Sequence, residues 1–245
     1  MVAPNPPVMN SAISTPKPVH RVAFTLIELL VTMSIIAVIA ALLMPALTAV
    51  NESMYRTRCI NNLRTLTRGV ASYTIDHGGY LPYPNWGTSV AGWLYTPPNY
   101  NTTADLQTGQ IWPYISTPDV YRCVLDKPTP DQLTNRAIKN CSYCMNGAVC
   151  GYGALDANAS PNTYPISRFP ANSVCFWEQD DGNDGFWFND GSNQPDEGIS
   201  QRHKGGAIVA CFDGHVEWLT WDAYNAEKDL SPGRFWCNPG SANGH

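Results

Sequence analysis

The pattern of apolar and polar positions divides the chain into three parts. Residues 1–23 are polar, dotted with proline and free of acidic side chains, and they end in Lys17-Pro-Val-His20-Arg21-Val-Ala23. An apolar run then begins at Phe24-Thr-Leu-Ile-Glu28-Leu-Leu, and no side chain from Leu29 to Val50 is charged. Such a run matches the ~20 residues a helix needs to cross a hydrocarbon core of ~30 Å. Behind Pro45 the helical pattern continues. Ile60, Leu63, Thr67, Val70 and Tyr73 recur at three- and four-residue steps as one apolar stripe, and Gly78-Gly79 supplies a stop. A helix over 24–76 would be roughly 80 Å long, apolar all round in its first half and amphipathic in its second. Pro45 removes one backbone hydrogen bond and is expected to kink or loosen it.

Residues 77–245 read as short β elements among loops, forming a head with its own core. The clearest piece is Ala207–Phe212, Asp213-Gly214, His215–Leu219, because Asp-Gly between β-prone runs signals a two-residue hairpin turn. Pairing across that turn places Val209, Cys211, Val216 and Trp218 on one face, expected to be the core face, with Ala210, Phe212, His215 and Glu217 on the other. The predicted fold class is therefore α+β. A long N-terminal membrane helix packs on a small, antiparallel-β, loop-rich globular head.

Glu28 narrows the reading of the apolar run. A secretory signal would have a shorter stretch and a better small-residue cleavage site than Ala46-Leu-Thr-Ala49. A plain anchor explains the length but not a carboxylate, which is costly in hydrocarbon. Residues 21–50 closely resemble the cleavage and methylation segment of type IV prepilins and type II secretion pseudopilins. The resemblance is carried by Arg21, Phe24-Thr-Leu-Ile-Glu28-Leu-Leu, the apolar run and Pro45 within it. It implies that a membrane-embedded prepilin peptidase cuts between Ala23 and Phe24 on the cytoplasmic side and methylates the new amino terminus. The family usually carries glycine before the cut, where this chain carries Ala23. It further implies that Glu28 neutralises the terminal amine of a neighbouring subunit during assembly. Residues 1–23 are then a cleaved basic leader, 24–76 the prepilin-type helix, and 77–245 an extracytoplasmic head on a single-pass inner-membrane protein. Charge flanking the span does not orient it, since Lys17 and Arg21 precede it while Arg56, Arg58, Arg64 and Arg68 follow.

Composition adds two constraints. The net charge of -5 leaves no basic surplus to neutralise phosphates, which argues against nucleic acid as a partner. Eight cysteines in a chain with an export signal fit disulfides. Their connectivity is not readable from the sequence, and Cys59–Cys123 is the first choice, joining the outer half of the helix to an apolar, strand-like stretch. The rival is zinc at Cys141-x-x-Cys144, which lacks a second ligand pair.

The head carries a second resemblance. His203, nine intervening residues, then Asp213-Gly214 is similar to the His-x9-Asp-Gly element of prepilin-like proteins abundant in planctomycetes. Cys59-Ile-Asn-Asn-Leu, Gly79-Tyr-Leu-Pro82, Tyr121-Arg-Cys123 and Ser142-Tyr-Cys-Met-Asn146 look like that family too. The likeness supports architecture more than mechanism.

Glu178-Gln-Asp180-Asp181-Gly-Asn183-Asp184-Gly gathers oxygen donors in a glycine-bearing loop. Asp180, Asp181, Asn183 and Asp184 form a candidate calcium site, although the spacing is not that of an EF-hand. Major pseudopilins carry calcium in a C-terminal loop, which the resemblance extends to this chain. His203, Asp213 and His215 would suit acid–base or metal chemistry, but Asp213 has a sufficient role in the turn. No nucleophile motif or phosphate loop accompanies them, so an enzyme is not expected. Trp86, Trp93, Trp112, Trp187 and Trp236 are expected in the core rather than at a sugar-binding face. The expected function is a structural subunit of a type IV pilus-like or type II secretion pseudopilus-like fibre, built with like subunits through the N-terminal helix. The alternative is a membrane-anchored monomeric surface module, for instance for carbohydrate, that uses the prepilin segment for export.

Overall fold

The computed structural model describes residues 24–180, 182 and 188–245. By contacts the chain divides after Leu47, with Thr48–His245 forming the larger unit. Helix α1, Leu26–Asp76, is 51 residues long and continues through Pro45. Its N-terminus is closed by a reciprocal pair. Thr25 N (2.9 Å) and Thr25 Oγ1 (2.7 Å) donate to Glu28 Oε2, and Glu28 N donates to Thr25 Oγ1. This Thr-x-x-Glu arrangement satisfies otherwise orphaned amides of the first turn. Its C-terminus closes at Gly78 and Gly79, both with positive φ, where Gly79 N donates to Thr74 O at 2.8 Å. Only residues tolerant of left-handed backbone make that six-to-one closure cheaply.

The larger unit is built on a five-stranded sheet in the order β3-β1-β2-β4-β5. The strands are β1 (Tyr143–Asn146), β2 (Val174–Glu178), β3 (Ser192–Asn193), β4 (Gly206–Cys211) and β5 (Val216–Thr220). The sheet is mixed rather than purely antiparallel, because β3 pairs parallel to β1 while the other neighbours are antiparallel. Both of its faces are covered. Cys59, Leu63, Leu66 and Val70 of α1 pack with Tyr143, Met145, Phe176, Ile208, Ala210 and Val216 in one core. Cys144, Trp177, Ala207, Val209, Cys211 and Leu219 pack on the other side with Tyr224 and Phe235. Tyr224 belongs to α4, Trp221–Glu227, the last of three short helices after α2 (Trp112–Ile115) and α3 (Pro130–Asn135).

The β4–β5 hairpin corrects the expected register. Ala210 pairs with Val216, Val209 with Glu217 and Ile208 with Trp218. The loop holds three residues, Phe212-Asp213-Gly214. Cys211 N donates to His215 O (2.8 Å), Gly214 N donates to Cys211 O (3.0 Å), and Gly214 has φ +85°. That is a turn followed by a left-handed glycine bulge, one residue longer than the expected turn. A one-residue slip re-pairs every side chain across the ladder. Val209 and Cys211 therefore face the α4 side, while Val216 and Trp218 face α1.

The eight cysteines are all thiols and all buried, so the expected disulfides are not formed. Cys141 and Cys144 lie in opposite cores, three positions apart along extended chain, and do not chelate together. Trp93 is fully buried, Trp236 nearly so, and Trp86 and Trp112 are half-buried, while Trp187 lies outside the described residues.

Candidate metal centre

Cys59 and Cys123 meet in the α1-side core, but as half of a four-residue set. One donor atom each from Cys59, Cys123, Glu178 and His203 lies within 4.8 Å of the others, and all four residues are buried. His203 Nε2 stands 3.6 Å from Cys123 Sγ and 3.2 Å from Glu178 Oε1.

Each donor is positioned from a different part of the fold. Cys59 sits on α1, on the stripe with Leu63 and Leu66. Cys123 follows the 3-10 turn Pro118–Tyr121, and its amide donates to Ser142 Oγ at 3.1 Å. Asn62 Nδ2 donates to Arg122 O (3.0 Å), tying that turn to α1. Glu178 closes β2, where Ile208 N donates to its Oε2 at 2.9 Å and so leaves Oε1 facing the set. His203 is held by its backbone. His203 N donates to Gly206 O (3.1 Å), and His203 O accepts from Trp218 Nε1 (2.9 Å).

An outer layer continues the arrangement. Glu52 Oε1, about two helix turns before Cys59, lies 3.5 Å from His203 Nδ1. Among the described residues neither buried atom has a hydrogen-bond partner, and the Arg56 guanidinium stands 4.0 Å from the same Glu52 oxygen. Asn62 Nδ2 donates to the Tyr143 hydroxyl (3.2 Å), which is itself hydrogen-bonded to Cys59. Ser142 Oγ donates to Asp126 Oδ2 (2.6 Å), and Asp126 pairs with Arg136. A cleft of about 370 Å³ lined by Arg58, Asp119, Arg122 and Asn140 reaches Cys123 from the surface.

The site's charges are coupled. The hydrogen bond from Cys59, helped by His203 and opposed by burial, pulls the Cys123 thiol down to about 6. That same bond, with burial, pushes Cys59 above the ordinary thiol range. Burial alone would lower His203, but its bonds to Cys123 and Glu178 outweigh this and raise it to about 10. Burial alone would raise Glu178, but the His203 bond and charge and the Arg202 charge hold it below the usual carboxylate range. The set therefore favours a carboxylate and a thiolate around an imidazolium, inside an apolar core.

No family model, curated protein or solved structure matches the chain.

The other sequence-predicted residues lie elsewhere. Phe24 and Glu28 are exposed at the start of α1, and Ala23 is outside the described residues. Asp180 Oδ1 accepts from Gly182 N (3.3 Å), whereas Asp181, Asn183 and Asp184 lie outside the described residues. Glu178, grouped with that acidic loop in the sequence, is instead a buried strand residue. Asp213 Oδ1 accepts from His215 N (2.8 Å) across the hairpin turn, and with Gly214 it borders a cleft beside Arg64 and Arg68. His203 and Asp213 are thus parts of two features, a buried donor and a turn residue. His215 is exposed beside Glu217. Sequence reasoning placed Cys59 with Cys123 but missed Glu178 and Glu52. The signal for Glu178 was a carboxylate inside the apolar run Val174-Cys-Phe-Trp-Glu178, where a charge needs a partner.

Proposed function

We propose that the chain is a membrane-anchored structural subunit of a type IV pilus-like or type II secretion pseudopilus-like fibre, cut before Phe24 by a prepilin peptidase. The observation that carries this reading is the first half of α1. It is long and apolar enough to cross a membrane, and none of its most apolar window is buried. From Phe24 to Val50 the side chains described are exposed, with only Ala40 partly covered. Contiguous apolar surface on that scale needs lipid or the same helix of another subunit to cover it.

Glu28 has two roles under this reading. It caps its own helix through Thr25, and after cleavage its charge pairs with the Phe24 amine of a neighbouring subunit, in surroundings where the attraction is far stronger than in water. Glu28→Gln separates the roles, since glutamine serves the same capping geometry without the charge. Cross-linking through cysteines placed in the helix is expected to fall sharply in Glu28→Gln, while membrane insertion and cleavage are retained. Unchanged cross-linking would remove the charge-pairing role and leave the monomeric surface module as the better description. An intact leader, found by mass spectrometry of the membrane fraction, would exclude prepilin-type processing.

A further inference from the structure

We infer that Cys59, Cys123, Glu178 and His203 bind one zinc ion, a structural site that fastens the second half of α1 to the sheet. The donor types and spacing both fit. Zinc takes thiolate at ~2.3 Å and imidazole or carboxylate at ~2.0–2.2 Å in a tetrahedron, whose edges are then about 3.6 Å for sulfur to nitrogen and about 3.4 Å for nitrogen to oxygen. The corresponding separations are 3.6 Å for Cys123 Sγ to His203 Nε2 and 3.2 Å for His203 Nε2 to Glu178 Oε1. The remaining edges fall within the 4.8 Å that encloses all four donors. Two sulfurs favour zinc over the hard cations calcium and magnesium, which take oxygen.

The outer layer is that of a metal site. Zinc-bound histidines commonly turn their second nitrogen to a carboxylate, which fixes the tautomer and the ring plane. Here His203 turns Nε2 inward and Nδ1 toward Glu52 Oε1, an oxygen whose other close neighbour is the Arg56 guanidinium at 4.0 Å. A proton on Nδ1 satisfies both. Ile208 N occupies the outer oxygen of Glu178, and Tyr143 supports Cys59. Two thiolates and a carboxylate around a divalent ion carry one net negative charge. Arg202, whose field stabilises both Glu178 and Cys123, balances it. Binding releases the Cys59 thiol proton and the Nε2 proton of the His203 imidazolium to solvent, since Cys123 is already a thiolate.

Four protein ligands leave no open position, which is the pattern of a structural rather than a catalytic zinc. The ligands come from four separated segments, so the ion ties α1, the Cys123 turn, β2 and the loop before β4 at a single point. His203 of the His-x9-Asp-Gly element thereby gains a role distinct from that of Asp213.

The test uses the full-length chain purified in detergent under reducing conditions. Elemental analysis is expected to give about one zinc per chain, and cobalt exchange a thiolate-to-cobalt absorption band. Chelation is expected to lower the melting temperature by about 5–10 °C, relative to protein with zinc at about a hundredfold excess over its dissociation constant. Chelation should also open Cys59 and Cys123 to alkylation, while Cys141 and Cys175 stay protected. Cys123→Ser and His203→Ala are expected to lose the metal and the cobalt band, and Cys141→Ala to keep both. Should the ligand variants fail to fold, the stoichiometry and alkylation pattern of the unaltered protein still decide. Absence of bound metal after zinc reconstitution, or a Cys59–Cys123 disulfide in the protein isolated without reductant, would overturn the site.

Discussion

Arg136→Met tests whether the wall behind Cys123 is held by a buried ion pair. Arg136 Nη1 donates to Asp126 Oδ1 at 2.8 Å and Oδ2 at 3.1 Å, and the two side chains are 1% and 2% exposed. The guanidinium also lies 3.6 Å over the Phe188 ring. Methionine preserves much of the packing on Phe188 but leaves Asp126 buried, with Ser142 as its close donor. Removing one partner of a buried pair costs about 3–5 kcal/mol. In a chain of this size that lowers the melting temperature by roughly 6–20 °C. The pH dependence follows from Asp126. Burial alone would raise its carboxyl, but the charges of Arg202 and Arg136 and the Ser142 hydroxyl outweigh this and depress it. A depressed carboxyl stabilises the fold above its usual pKa, and this contribution is lost as pH falls through the folded value. Without Arg136 the native carboxyl binds its proton more readily, so the deficit of the variant should be smaller at about pH 5 than at about pH 7. Thermal melts followed by tryptophan fluorescence at both pH values measure it. Asp126→Asn/Arg136→Met should recover most of the loss, because no buried charge is left alone. A deficit in Arg136→Met below ~1 kcal/mol, or one independent of pH, would refute the reasoning.

Leu66→Ala removes a fully buried side chain between α1 and the sheet, and unfolding curves should show a loss of about 2.7–5 kcal/mol. Gly214→Ala places a Cβ at φ +85° with nothing within 4 Å, so the cost is backbone strain alone, about 1 kcal/mol, and Gly214→Asn should cost less in the same melts. Burial raises the Glu197 carboxyl from its usual 4.5 to about 7. The fold then holds a proton that the unfolded chain has released, so stability falls as pH rises between those two values. In a pH series of denaturation midpoints, Glu197→Gln should abolish that decline.

Much of α1 was legible because its two signals are long. The charge-free run to Val50 and the Gly78-Gly79 stop both follow from backbone and solvation rules that act locally. The stripe on its second half was read in part. Leu63, Thr67 and Val70 are buried, while Ile60 and Tyr73 lie at its margin and Cys59 and Leu66 carry the contact instead. The hairpin register was not legible, because both faces of β4 are buried and an all-apolar strand does not show which side faces which core. The Asp-Gly signal located the turn but not its length. Cys59 and Cys123 were expected as a disulfide and lie together as free thiols instead, because the chemistry between them depends on Glu178 and His203, which only tertiary structure brings to that point. Local pattern carries no information about donors so far apart in the chain.

That separation also sets a clock. About 140 residues lie between Cys59 and His203, and β4, which covers Leu63 and Leu66 in the same core, comes later still. At ~5–20 residues per second, the ribosome needs roughly 7–30 s after making Cys59 before the last donor exists. Throughout that interval the inner stripe of α1 has no native surface to lie on. The nascent chain must hold it soluble, and its thiols unspent, until β4 arrives.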